Sequence, residues 1–168
     1  MISNNELKNF SIAELLRLHV GIGEQLRSRG IVRGENIPTG DLAEYLFCHS
    51  YAWKQAKNSE KAFDAKDCEG KRYQIKGRRM HQRTPSRQLS AIRDLGGFDT
   101  LAAVLFDHEY RVLRAALIPN EVVRNRCRYA KHDNKWNFIL TDDVWDEKGV
   151  RDVTKVLERT WNQLCVMD

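Results

Sequence analysis

The sequence predicts an α/β (α+β) domain in which helices flank one β-sheet. Three observations carry this. Apolar residues recur every three to four positions at both ends of the chain, and they alternate every second position in the middle. The 168 residues, 42% of them hydrophobic, are enough for one sizeable core, so a single compact domain is expected.

Residues 1–38 read as an N-terminal helical segment packed on that core. Ile12, Leu15, Leu16, His19, Gly23 and Leu26 follow a 3.6-residue period, Ser11 is placed to cap the start, and Gly30 marks the end. Gly21 and Gly23 weaken this helix. A second helix starts near Thr39 to Asp41, after Pro38, with Leu42, Tyr45, Leu46, His49 and Trp53 as its apolar stripe.

The period then changes to two. Phe63 to Ala65 and Arg72 to Lys76 read as strands joined by the three-residue loop Cys68-Glu69-Gly70, with Gly70 at the left-handed position. Thr100 to Phe106 and Tyr110 to Ile118 are two further strands around the turn Asp107-His108-Glu109, and Pro119 stops the second. The strands are expected to be mostly antiparallel. A short helix is expected over Glu121 to Asn125 and a strand over Lys135 to Leu140. A final helix carries Val150, Val153, Leu157, Trp161 and Leu164 on one face.

Composition narrows the function classes. No apolar run approaches the ~20 residues of a membrane span, and Met1 to Asn9 has no secretory apolar region. Cys48, Cys68, Cys127 and Cys165 show no zinc half-site spacing and read as reduced thiols, so a cytoplasmic location is expected. The net charge of +5 weakly favours an anionic partner. The five histidines are scattered and read as incidental.

The hairpin carries the chemistry. A three-residue loop pairs position 67 with 71, which puts Asp64 directly opposite Gln74, with Lys76 on the same face. Phe63, Ala65, Tyr73 and Ile75 fall on the other, apolar face. Asp67 begins the turn and reads as turn chemistry.

This arrangement resembles the PD-(D/E)xK nuclease superfamily, in its D…QxK variant similar to Mrr-like restriction endonucleases. The residues concerned are Lys61-Ala62-Phe63-Asp64-Ala65 and Gly70-Lys71-Arg72-Tyr73-Gln74-Ile75-Lys76, with Glu44 at the upstream helix position where the superfamily often has an acid. The middle acid is Gln here, and Phe63 stands where a proline is usual. The resemblance covers roughly residues 40–118. It implies a restriction-endonuclease-like core with a mixed central sheet over residues 39–168. It also implies a Mg²⁺-dependent endonuclease, Mn²⁺ substituting, that hydrolyses DNA phosphodiester bonds in restriction or defence. Asp64, Gln74 and Glu44 would hold the metal, and Lys76 would sit beside the attacking water or scissile phosphate. Duplex cleavage by so short a chain would need a homodimer or a partner subunit.

From Lys71 to Arg93 the chain carries eight cations and no acid. Arg72, Arg78, Arg79, Arg83 and Arg87 are therefore the expected contacts to nucleic acid, the last two in a polar loop from Gln82 to Ser90 holding Pro85. Arg124, Arg126, Arg128 and Lys131 form a second cluster. No aromatic residue interleaves the main stretch, which argues against base stacking along single strands. A catalytically inactive DNA-binding module and an assembly protein docking its basic face on an acidic partner are the competing readings.

Overall fold

A computed structural model of the protein describes residues 4–34, 37–56, 62–81, 83, 86–132 and 134–166, without the side chains of Asn4, Cys165 and Val166. Lys61, Gln82 and Pro85 lie outside the described residues, as does the Cys165 side chain. The chain begins with α1 (Asn4–Leu7) and α2 (Ile12–Ser28), followed by α3 (Thr39–Tyr51). Strands β1 (Lys54–Gln55), β2 (Ala65–Lys66), β3 (Arg72–Arg79), β4 (Thr100–Phe106) and β5 (Val112–Pro119) come next. Then follow α4 (Asn120–Arg126), the β6–β7 hairpin (Arg128–Ala130 and Lys135–Asn137), β8 (Arg151–Asp152) and α5 (Thr154–Val166).

Six strands form one mixed sheet in the order β1-β2-β3-β4-β5-β8. Four of its five pairings are antiparallel, as expected, and at the centre β3 and β4 run parallel from Tyr73↔Thr100 to Arg79↔Phe106, which makes the sheet mixed. Every residue of β4 is buried, as its unbroken apolar run requires of a strand covered on both faces. One face packs on α3 and α5 through Leu46, Phe47, Ile75, Val104 and Leu157. The other packs on α4 and the chain around Leu89, Ile92 and Phe138.

Gly77 brings β3 tightly against α3. A Cβ there would meet the Thr39 carbonyl oxygen at 2.8 Å and the Ala43 Cβ at 2.9 Å. The α3 stripe differs from expectation: Leu42, Ala43, Leu46 and Phe47 are buried, and His49 is exposed. Trp53 lies beyond the helix, which ends at Ala52 in the left-handed conformation, and stacks on Tyr73 with centroids 3.6 Å apart.

The α2 helix is a second correction. Ser11 caps it as the sequence suggests, and the structure completes a capping box, Ser11 Oγ accepting from the Glu14 N–H and Glu14 Oε2 from the Ser11 N–H. Yet none of its 17 residues is buried, so the helix does not join the core, and Ile12 and Leu16 are 79% and 62% exposed. Only the chain after it does, through Ile31 and Val32. Val150 and Val153 precede α5 rather than lying on it, and the expected strand over Lys135 to Leu140 ends at Asn137. Tyr110 sits in the β4–β5 turn, not in β5, with a positive φ of 66°. Among the described residues no helix is long and apolar enough to cross a membrane. Cys48, Cys68 and Cys127 are free thiols.

Candidate active site

The site is built on the β2–β3 hairpin. Its turn closes as the spacing predicts. Gly70 has φ +84°, and Asp67 Oδ1 accepts from the N–H groups of Glu69 and Lys71. The ladder pairs Ala65 with Tyr73 and Lys66 with Arg72, the expected register. Asp64 lies one residue before β2, its N–H donating to the Tyr73 carbonyl at 2.8 Å. Gln74 Nε2 donates to Asp64 Oδ2, and the backbone N–H of Ile75 donates to the same oxygen at 2.6 Å. Gln74 is buried at 8% exposure.

Glu44 comes to the hairpin from α3 by way of Gln55, which pairs with Ala65. Its Oε2 accepts from Gln55 Nε2 at 2.8 Å and from the Arg33 guanidinium. The side chain is 15% exposed. Burial holds its carboxyl above the usual range. The negative charge of Asp64 adds to this, and the hydrogen bond from Gln55 and the charge of Arg33 oppose it. One turn along α3, burial pushes the Cys48 thiol up to about 11, with Glu44 the next cause, so that thiol stays protonated. Two acids from distant parts of the chain thus share one electrostatic environment. The sequence reading missed Arg33 and Gln55. One lies in a loop and the other on a two-residue strand, and neither position carries a periodic signal.

Lys76 follows Gln74 by two residues on the same face of β3 and is partly exposed. Among the described residues it has no hydrogen-bond or ion-pair partner, so its ammonium is available to an incoming anion.

A hard divalent cation takes oxygen donors. Among the described residues no three His, Cys, Asp or Glu side chains converge on one point. The donors are instead two carboxylates, Asp64 and Glu44, and the amide of Gln74. In each carboxylate one oxygen takes the hydrogen bonds and the other has none among the described residues. All are oxygen ligands of the type Mg²⁺ takes. The Gln74 amide presents its nitrogen to Asp64, and a half-turn of the amide group would present its oxygen instead.

The arginines divide. Arg72 is tied to Asp99 through Nε and a terminal nitrogen, at 3.1 and 2.8 Å, and its own N–H also donates to that carboxylate. Arg87 pairs with Asp142 at 2.8 Å. Arg78 donates to the Ser86 carbonyl, and Arg79 donates to the His108 carbonyl while lying over the Tyr110 ring. Arg83 is exposed, with no partner among the described residues. In the second cluster, Arg126 is held by Asp143 and Glu147. The basic stretch is thus largely a set of internal ties.

Compared with known proteins, the chain matches no family model and no curated protein.

Proposed function

We propose that the protein is a metal-dependent endonuclease of the PD-(D/E)xK type with a restriction-endonuclease-like core, hydrolysing DNA phosphodiester bonds in restriction or defence. The observation that carries this reading is the Asp64–Gln74 pair of the hairpin, with Lys76 two residues on and Glu44 of the helix bonded to Gln55, the strand partner of Ala65 next to Asp64. Asp64, Glu44 and Gln74 would hold Mg²⁺ or Mn²⁺. The bound ion would lower the pKa of a water and neutralise charge that builds on the phosphate. Lys76 would place a cation where the phosphate enters. Arg83 and the free donors of Arg78 and Arg79 would hold the flanking backbone. A homodimer or a partner subunit would supply the second cut of a duplex.

The test is cleavage of supercoiled and linear DNA by the purified chain with Mg²⁺ or Mn²⁺, with EDTA as control. Metal-dependent nicking that Lys76→Ala abolishes supports the reading, and no cleavage with either metal sinks it. One observation favours a second reading, an inactive DNA-binding module of the same fold. The Gln74 amide already satisfies Asp64 without a metal, and it brings no charge of its own. Salt-dependent DNA binding without cleavage would select that reading.

A further inference from the structure

A groove of about 870 Å³ runs between the C-terminal half of α2 and the end of β3. One wall is apolar, with Val20, Ile22 and Leu26, and Gly23 opens it further by leaving space where a side chain would stand. The other wall is cationic, with Arg78 and Arg79, and Arg27 and two histidines, His19 and His81, complete the ionisable lining. Among the described residues no carboxylate lines it. Gly77 and Arg78, which line the groove, follow Lys76 directly in β3.

We propose that this groove binds a single-stranded segment of nucleic acid, one or two nucleotides long. The charge of the lining selects an anion, and the apolar wall selects an anion with a flat, unpaired apolar part. Bases in a duplex hide their faces in the stack, whereas unpaired bases present them. The volume lies within the ~300–1,000 Å³ of small-ligand sites and cannot admit a double helix. The arginines are set in advance. Arg78 spends one donor on the Ser86 carbonyl, and Arg79 is fixed by the His108 carbonyl and the Tyr110 ring. A guanidinium has five donors, so most remain for phosphate oxygens. The sequence argues against stacking along the basic stretch, and within that stretch the argument holds. The fold brings the apolar surface from α2 and the aromatic ring from the β4–β5 turn.

This names a substrate form for the nuclease reading, a strand with an unpaired segment beside Lys76, and rests on that reading for that step alone. Binding itself is measured without metal. The experiment is fluorescence anisotropy of a labelled oligothymidine decamer and of a labelled hairpin duplex, titrated with the full chain in EDTA. Val20 is 56% exposed, so Val20→Asp leaves the melting temperature unchanged while placing a carboxylate on the apolar wall. It should weaken decamer binding about tenfold, through lost apolar contact and a carboxylate set against the bound anion, and leave duplex binding within about twofold. The Arg78→Gln/Arg79→Gln pair should lower the salt slope of decamer binding by about 1.4, at ~0.7 per phosphate contact. Unchanged decamer affinity in Val20→Asp, or equal loss for both DNA forms, overturns the proposal. Decamer binding without cleavage in Mn²⁺ would sink the nuclease reading and leave the groove standing. Cleavage without decamer binding would do the reverse.

Discussion

Gln74 and Asp64 face each other across the β2–β3 ladder and are joined by a hydrogen bond from the amide nitrogen to the carboxylate. Together with the Ile75 N–H, that bond satisfies Asp64 Oδ2 entirely from its own hairpin. Gln74→Glu would replace a donor with a second anion at 8% exposure, with Glu44 nearby. The variant should lose ~1–3 kcal/mol of stability in EDTA. Added Mg²⁺ should restore its melting temperature, because hard cations prefer anionic oxygen. A depressed melting temperature that ignores Mg²⁺ and Mn²⁺ would remove the metal from the proposed site.

Asp64 and Lys76 are not equivalent for stability. Lys76 has no partner among the described residues, so Lys76→Ala should abolish cleavage with a change in stability within ~0.5 kcal/mol. Asp64→Ala orphans the buried Gln74 amide and the Ile75 N–H, and should cost ~1–3 kcal/mol as well as activity. Urea denaturation of both variants checks this. Equal stability would mean that Asp64 does not hold the hairpin.

Glu44 makes a prediction with a definite sign. Its folded carboxyl titrates above the usual 4.5, so between that value and the raised one the folded state binds more protons than the unfolded state. Stability from this group is full below about 4.5 and falls as pH rises through the raised value. Glu44→Gln removes the ionisation. It should raise the melting temperature at neutral pH, and the advantage should shrink as pH drops toward 4.5. The same variant should weaken divalent-metal binding, so a more stable protein would be the less active one. Melting curves at several pH values decide; an advantage that is constant with pH would sink the argument.

Arg72 and Arg83 should separate in a way their neighbourhood in the sequence hides. The Arg72 guanidinium holds the Asp99 carboxyl down to about 2 and joins the starts of β3 and β4. Asp99→Asn should therefore be less stable than wild type above about pH 4, with the difference disappearing as pH falls toward about 2. Arg72→Gln should lower stability too. Arg83→Gln should leave stability alone and lower the salt slope of duplex binding by about 0.9. A slope unchanged by Arg83→Gln would assign that arginine to solvent.

Gly77→Ala tests how the site is positioned. The new methyl group would fall 2.8 Å from the Thr39 carbonyl, so α3 must shift to accept it. A cost of ~1–3 kcal/mol is expected. Cleavage should drop further than stability accounts for, because the same helix carries Glu44. Retained activity would show that Glu44 needs no fixed distance from Asp64.

The hairpin was legible in the sequence because three short-range signals agree there: a left-handed glycine, a turn-forming Asp67 and strict alternation. Register and facing residues follow from them, but Phe63, expected on the face of Ala65, Tyr73 and Ile75, packs against the opposite core, because the sheet is covered on both faces. The parallel β3–β4 pairing was not legible, since parallel strands need a long crossover and the chain from 80 to 99 carries no helical period. The ties of Arg72 and Arg87 were hidden for a related reason. Asp99 is 27 residues from Arg72, and no local pattern links them. In α2 the period was right and its meaning was wrong, because an apolar stripe records what a helix could bury and not whether anything covers it.

Nothing buried anchors α2, and β4 is buried throughout. Amide hydrogen exchange should therefore span nearly the whole range available to one protein. The α2 amides should exchange through local opening at little free-energy cost, and the β4 amides only through global unfolding. Gly21 and Gly23 widen the gap, each lowering helix stability by ~1 kcal/mol relative to Ala. One wall of the groove would then open and close without disturbing the sheet that carries Asp64 and Gln74. A strand could enter sideways, with no free end to thread, and α2 protection that rises when oligonucleotide is added would record the closing.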